Sequence, residues 1–266
     1  MKIGLVSKKT DAAEAFSLSL ADWLVSCGHK VLNLDKHEPS KDMKLVVVVG
    51  GDGTLLHSAR LLKGLPIPII GINMGGLGFL TEINKENAKF AITEFLKGNC
   101  PLSERMMCDV SLFRNNKLTI HETVLNDAVV TKGKIARMIE MEAYVNDIKL
   151  SHYRADGLIV STPTGSTAYV LSAGGPIVEP ELDCMVICPI CPHTLTNRPV
   201  VISSTATLSI IIRSKKDVYL TLDGQQAYPL KEDDKIVIKK AEAKTYLVRY
   251  KTFFEILKNK MYWGER

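Results

Sequence analysis

Residues 46–56 read VVVVGGDGTLL, and this stretch decides the fold. Four β-branched residues make a strand that is apolar at every position, as a strand covered on both faces should be. Three glycines then surround one aspartate, and Leu55, Ala59 and Leu62 recur at helical spacing before Gly64. Taken alone, Asp52-Gly53 reads as a hairpin turn, because Asp-Gly favours the type I′ loop. A hairpin needs an alternating strand on each side, whereas here a buried strand enters and an amphipathic helix leaves. Strand, glycine-rich loop and helix together present backbone N–H groups and a helix N-terminus to an anion, which is how phosphates are held. No Gly-Lys-Ser/Thr follows, so the loop is not a Walker A loop, and its spacing is not G-x-G-x-x-G. An aspartate among phosphates is repelled unless a metal ion shields it or it has a proton to take. The pattern points to phosphoryl transfer, with Asp52 as base for an acceptor hydroxyl.

Working outward, the first hundred residues alternate between two periodicities. Strands are expected at 2–7, 30–34, 44–50 and 67–73, and amphipathic helices at 11–27 and 85–97, closed by Gly28 and Gly98. Such alternation predicts a parallel α/β sheet. After Pro101 the segments become strand-like and are joined by turns such as Arg114-Asn115-Asn116 and Asn146-Asp147, with only 166–175 briefly helical. This predicts an antiparallel β domain. Residues 252–263 return to helical spacing, with Phe254, Leu257 and Met261 on one side. A lone terminal helix must bury that face, and it is expected to pack back on the N-terminal domain. The predicted domains are 1–99 with 251–266, α/β, and 100–250, β-rich.

The 266 residues suffice for two such domains. A net charge of +5 suits an anionic ligand, but no Lys/Arg run and few aromatic residues argue against a nucleic-acid partner. No apolar run approaches the roughly 18 residues of a membrane span, and the N-terminus reaches lysines too early for a signal peptide. The six cysteines lack small-scaffold spacing, so reduced thiols and a cytoplasmic location are expected. Cys184, Cys188, Cys191 and His193 invite a zinc assignment. Prolines interrupt the one C-x2-C pair and no second pair exists, so strand thiols are the better reading.

The motif GGDGT at 50–54 resembles the signature of a kinase superfamily that includes NAD kinases, diacylglycerol- and sphingosine-type lipid kinases and, more distantly, phosphofructokinases. GINMGGLGFLTE (71–82), LNDAVV (125–130), RADGLIVSTPTGSTAYVLSAGGPIVEP (154–180) and CPHTLTNRPVV (191–201) resemble bacterial NAD kinases, in that order and at that spacing. The resemblance spans about residues 1–257. It implies a Rossmann-like α/β domain, a β-sandwich-like C-terminal domain and a C-terminal helix returning to the first. It also implies transfer of the terminal phosphate of ATP, or of inorganic polyphosphate, to the 2′-hydroxyl of the adenosine ribose of NAD, making NADP. A divalent metal, Mg²⁺, would come with the phosphates, and the assembly would be a dimer or tetramer.

For individual residues the resemblance implies the following. Asp52 accepts the 2′-hydroxyl proton, and Gly53 lies beside it at the dinucleotide. Gly50, Gly51 and Thr54 offer donors to phosphates, and His57 is a basic group near the ligand, or else a surface helix histidine. Phe79 packs against adenine, or is a core aromatic. Asn126-Asp127 stands where the family usually has Asn-Glu contacting adenine and ribose, with Asp one methylene shorter; an Asx turn is the other reading. Asp156 binds nicotinamide or its ribose, and Arg154 or Arg137 neutralises phosphates, Arg154 across a subunit boundary. By local pattern alone, Asp156-Gly157 is a turn and Arg137 a solvated edge charge. Thr167, Ala168, Tyr169 and Ser172 line the dinucleotide, although Ser166 or Thr167 could serve simply as an N-cap. Gln225 reaches the NAD site or caps a hairpin, and Asn73 and Thr164 complete the ligand set. His193 and Arg198 fall in a structural, subunit-contact segment. Two rivals stand beside this reading: a GGDGT lipid kinase, which would need an apolar cleft and leaves the TPTGSTAY block unexplained, and a non-catalytic NAD(P)-binding sensor.

Overall fold

The computed structural model describes residues 1–76, 78–133, 137–215 and 217–262. The chain divides into two units, 1–105 with 243–266 and 106–242.

The first unit contains β1 (Lys2–Ser7), α1 (Asp11–Ser26), β2 (Lys30–Asn33), β3 (Met43–Gly50), α2 (Asp52–Leu62), β4 (Ile69–Asn73), the two-residue β5 (Ile83–Asn84) and α3 (Ala88–Leu96). Val46 to Val49 are fully buried on β3, which lies between β1 and β4 with both neighbours parallel. Full burial of a valine contributes roughly 1.5–3 kcal/mol, so this central strand anchors the unit. Its register pairs Gly50 with Asn73, which brings the glycine loop and the end of β4 to the same carboxyl edge of the sheet. Open parallel sheets bind ligands at that edge. Helix α2 starts directly at Asp52 with Gly51 as N-cap, so the hairpin reading of Asp52-Gly53 fails. The helix expected over 85–97 is a 3-10 turn, Lys85–Asn87, followed by α3.

The second unit is antiparallel. It holds most of β6 (Leu102–Arg114), then β7 (Lys117–Val124), β8 (Asp127–Lys132), β9 (Ile139–Val145), β10 (Ile148–Ala155) and β11 (Gly157–Ser161). A 3-10 turn, Thr164–Thr167, and the single-turn α4 (Tyr169–Ser172) precede β12 (Cys184–Ile190), β13 (Val200–Ser203), β14 (Leu208–Ile212), β15 (Val218–Leu222), β16 (Gln226–Leu230) and the start of β17 (Lys235–Val248). One sheet has the order β13-β12-β11-β8-β15-β16; the other includes β10-β9-β14-β17. A single apolar core takes Val130, Leu158, Ile187 and Leu220 from the first sheet and Met141, Ala143, Ile210 and Ile236 from the second. This is the sandwich arrangement. The expected turns are present: Asn115-Asn116 and Asn146-Asp147 are left-handed at both residues, as a type I′ hairpin requires.

The brief helix expected over 166–175 is instead a 3-10 turn and one α-turn, separated at Ala168, whose φ −101° and ψ −122° are not helical. The terminal helix, α5 (Phe253–Met261), belongs to the first unit. Thr252 and Glu255 form a reciprocal capping box at its start, and Ile256 and Leu257 are its buried residues. The apolar face expected from Phe254 and Met261 is therefore displaced by one position, and Phe254 is exposed. Among the described residues no helix is long and apolar enough to cross a membrane.

Candidate functional site

In the first unit the loop after β4 folds onto the start of α2 and takes hold of Asp52. Oδ1 of Asp52 accepts from Leu80 N at 3.1 Å, Thr81 N at 3.0 Å and Thr81 Oγ1 at 3.0 Å, and Oδ2 accepts from Phe79 N at 2.9 Å. A Cβ on Gly78 would collide with Oδ1, so the loop can close on the carboxylate only because that residue is glycine. Asn73 organises the same loop from the strand end. Its Nδ2 donates to Gly76 O at 2.7 Å and Thr81 Oγ1 at 3.0 Å, and its Oδ1 accepts from Gly75 N at 2.6 Å. Phe79 is half-buried, with the Lys260 ammonium of α5 4.6 Å from its ring centroid. Glu82 next to the loop accepts from Tyr250 N and Lys251 N.

The carboxylate therefore sits on the first residue of a helix, where the positive end of the dipole favours a negative charge. A carboxylate offers about four lone-pair sites over its two oxygens. Oδ1 is filled by three donors, while Oδ2 holds one and keeps acceptor capacity for a further hydroxyl. Gly51, Gly53 and Thr54 share this helix start, and Gly53 is exposed. His57, one turn on, lies with Nδ1 3.2 Å from Arg60 Nη2. A guanidinium can only donate, so Nδ1 accepts. Burial, then the Arg60 charge, push the imidazole below its ordinary value.

In the second unit the hydroxyl-rich segment wraps around Leu125–Asp127. Thr162 Oγ1 donates to Leu125 O at 2.6 Å, and Ser161 Oγ and Thr162 N donate to Asn126 O at 3.0 and 2.9 Å. Ser166 Oγ both donates to Val178 O and accepts from Val178 N, and Thr167 Oγ1 reaches Thr164 O at 3.4 Å. The hydroxyls of Ser161, Thr162, Ser166 and Thr167 thus brace the loop. A Cβ on Gly165 would strike the Asn126 carbonyl, which locks the 3-10 turn against that segment. Two side-chain atoms are left over. Asn126 Oδ1 and Thr164 Oγ1 are buried without a hydrogen-bond partner. Buried polar atoms in native proteins are nearly always paired, with protein groups or with water, so these two acceptors are open to a further polar group.

Asp127, beside them, is buried, and its carboxyl is pushed up to about 7, by burial first and by the Asp223 charge second. Asp223 was not singled out by the sequence. It occupies the left-handed turn between β15 and β16, and its carboxylate accepts from the backbone N–H of Leu125, Asn126 and Asp127 at 3.0, 2.7 and 3.1 Å. Its contact with Asn126, 97 residues away, has no local signal. Ala168 is half-buried, whereas Tyr169, Ser172 and Gln225 are exposed, and Gln225 N donates to Leu222 O in the same hairpin.

The expected charged groups are placed separately. Asp156 pairs with Lys132 at 2.7 Å, Arg154 with Glu140 at 3.2 Å, and Arg137 is exposed. His193 N donates to Arg154 O. Cys108 and Cys188 are buried strand thiols, as expected, but Cys191 is exposed, in a left-handed turn past β12. Among the described residues no three His, Cys, Asp or Glu side chains cluster as metal ligands.

Two family models match the chain: the ATP-NAD kinase N-terminal domain over residues 7–100 and the ATP-NAD kinase C-terminal domain over residues 125–250. The NAD kinase of Geotalea daltonii is 46% identical over 282 residues, covering 100% of this chain and 99% of the relative. That of Geobacter metallireducens is 52% identical over 225 residues, covering 84% and 80%. Among solved structures, yeast NADH kinase complexed with NADH shares the fold, with a TM-score of 0.91 at 23% identity over 100% of this chain and 89% of that one. An NAD kinase from Archaeoglobus fulgidus in complex with ATP aligns with a TM-score of 0.81 at 29% identity over 98% and 99%. With both domain models and relatives of full length in agreement, the chain belongs to the NAD kinase family.

Proposed function

We infer that this protein phosphorylates NAD at the 2′-hydroxyl of its adenosine ribose, with ATP as donor, and that Asp52 receives the hydroxyl proton. The observation that carries the reading is Asp52 itself. Its carboxylate is fixed at a helix N-terminus on the carboxyl edge of a parallel sheet, with Oδ2 still able to accept. The 2′-oxygen attacks the terminal phosphorus, the bond from that phosphorus to the ADP oxygen breaks, and the hydroxyl proton passes to Oδ2. The neighbouring helix start and glycine loop supply N–H donors for the phosphates. The dinucleotide and ATP seen with the yeast and archaeal neighbours make both substrates reasonable for this chain.

Asn126, Asp127 and Thr164 are assigned to the dinucleotide, since two of them carry buried polar atoms in want of a partner. Thr167, Ala168, Tyr169, Ser172, Gln225 and Asp156 extend that assignment, and Arg137 and Arg154 remain with the phosphates. The carboxylate of Asp52 is surrounded by N–H and O–H donors, a poor setting for a resident cation, so the divalent metal is proposed to arrive as part of Mg-ATP. A cytoplasmic homo-oligomer completes the reading.

The test is NADP formation from NAD and Mg-ATP by the purified protein and by Asp52→Asn. Loss of the base costs on the order of 10²–10⁴ in kcat. Because Asp52 also holds the loop, hydrogen exchange at the amides of 79–81 accompanies the assay. A silent Asp52→Asn with those amides still protected supports the base; an equally active variant removes it from the chemistry. Tight NAD binding with no turnover by the wild type would instead favour a sensor.

A further inference from the structure

One of the two partnerless atoms of the second unit, Asn126 Oδ1, lies on a segment that is held from outside. Leu125, Asn126 and Asp127 direct three successive backbone N–H groups at one carboxylate, that of Asp223, and Asp223 N donates back to Asp127 O at 2.9 Å. The segment carries the ligand-facing side chains but its conformation is set by a residue of another hairpin. Asp223 is itself buried at a left-handed φ of 48°, followed by Gly224 at 64°, so the β15–β16 turn presents the carboxylate inward. On its other side the segment is tied to β11 and the 3-10 turn by Ser161 and Thr162, which do not ionise near neutral pH.

We propose that Asp223 is a positioning residue for dinucleotide recognition: by gripping the backbone of Leu125–Asp127 it fixes the direction in which Asn126 Oδ1 and the Asp127 carboxyl meet the ligand. This rests on the assignment of Asn126 and Asp127 to NAD. A carboxylate suits the task because it accepts all three N–H groups and donates to none. An amide in its place accepts through one oxygen only and turns an NH2 towards a backbone donor. Asp223 also acts through charge. It is the ionised group that faces Asp127 across the β8–β15 contact, with uncharged Ser161 paired to Asp127 on the β11 side. An anion held beside Asp127 keeps that carboxyl protonated to higher pH, and so able to donate as well as accept.

The experiment compares Asp223→Asn and Asn126→Ala with wild type in NAD phosphorylation as a function of pH. Asparagine tolerates the left-handed turn, so the hairpin is retained. Loss of charge-assisted bonds predicts a KM for NAD raised about tenfold to hundredfold, with KM for ATP unchanged. Removing the Asp223 charge also predicts that the pH inflection in NAD affinity moves to lower pH. A turn residue with no positioning role would leave the KM for NAD unchanged. If Asn126→Ala raises KM for NAD while Asp223→Asn changes neither KM nor inflection, the proposal is overturned. If Asn126→Ala also leaves KM at the wild-type value, the dinucleotide assignment itself fails. Hydrogen exchange on the wild type stands independently of how the variant folds. Amides of 125–127 protected equally with and without NAD support a pre-set segment; protection that appears only with NAD refutes it.

Discussion

At the scale of single residues, Asp52 and Asp127 meet opposite surroundings, each within its own unit. Asp52 is surrounded by hydrogen-bond donors, whereas Asp127 is buried beside another carboxylate, which disfavours its charge. The second arrangement has a consequence for stability. The Asp127 carboxyl ordinarily titrates near 3.8 and is raised in the fold to about 7. Between those values the folded chain binds a proton that the unfolded chain releases, so this group's contribution is present below about pH 4 and is lost as pH rises through 7. Asn is the uncharged counterpart of the protonated acid. Asp127→Asn should therefore raise the urea midpoint at pH 8 relative to wild type and have little effect at pH 4. Equal midpoints at both pH values would show that Asp127 does not titrate in the fold as described.

At the scale of elements, periodicity made the regular parts legible and left the bracing loops obscure. Four adjacent valines could only be a strand buried on both sides, and the left-handed Asn-Asn and Asn-Asp pairs could only be tight turns. The Thr164–Thr167 turn and α4 follow no hydrophobic period, because side-chain to backbone bonds from Ser161, Thr162 and Ser166 set their path. Among the hydroxyls of this segment, that of Thr164 is buried without a partner, while Tyr169 and Ser172 are exposed. The residues holding the loops were hidden for a different reason. Thr81 meets Asp52 across 29 residues and Asp223 meets Asn126 across 97, and no local pattern encodes either meeting. The turn can be tested as an element through Gly165. Ala there drives a methyl into the Asn126 carbonyl and the Ser161 hydroxyl. Overpacking of this kind costs about 1–3 kcal/mol, and displacement of the segment should raise KM for NAD together with the loss in urea midpoint. A variant as stable and as tight for NAD as wild type would mean that the backbone yields without cost.

At the scale of the whole molecule, the two units differ in how the chain builds them. The second is one continuous run, 106–242, with a core drawn from both of its sheets. The first is discontinuous: Leu247 at the end of β17 pairs with Ile69 of β4, Val248 belongs to the apolar core, and Ile256 and Leu257 of α5 are buried. The N-terminal 105 residues by themselves therefore lack part of their own interior, and Glu82 loses the two N–H donors of Tyr250 and Lys251. Burial pushes the Glu82 carboxyl up even with those donors present. Losing them removes two hydrogen bonds to a charged group, at a cost of about 1–3 kcal/mol. Set against the 5–15 kcal/mol that typically holds a domain together, that loss and the missing apolar contacts are enough to unfold it. A fragment of 106–242 should thus melt cooperatively with a β-type circular dichroism spectrum, while 1–105 should not melt cooperatively until a peptide of 243–266 is added. Cooperative melting of 1–105 alone would show that the returning segment is an ornament on a complete unit. Failure of 106–242 to fold would show that its sandwich depends on the strand halves that β6 and β17 leave outside it.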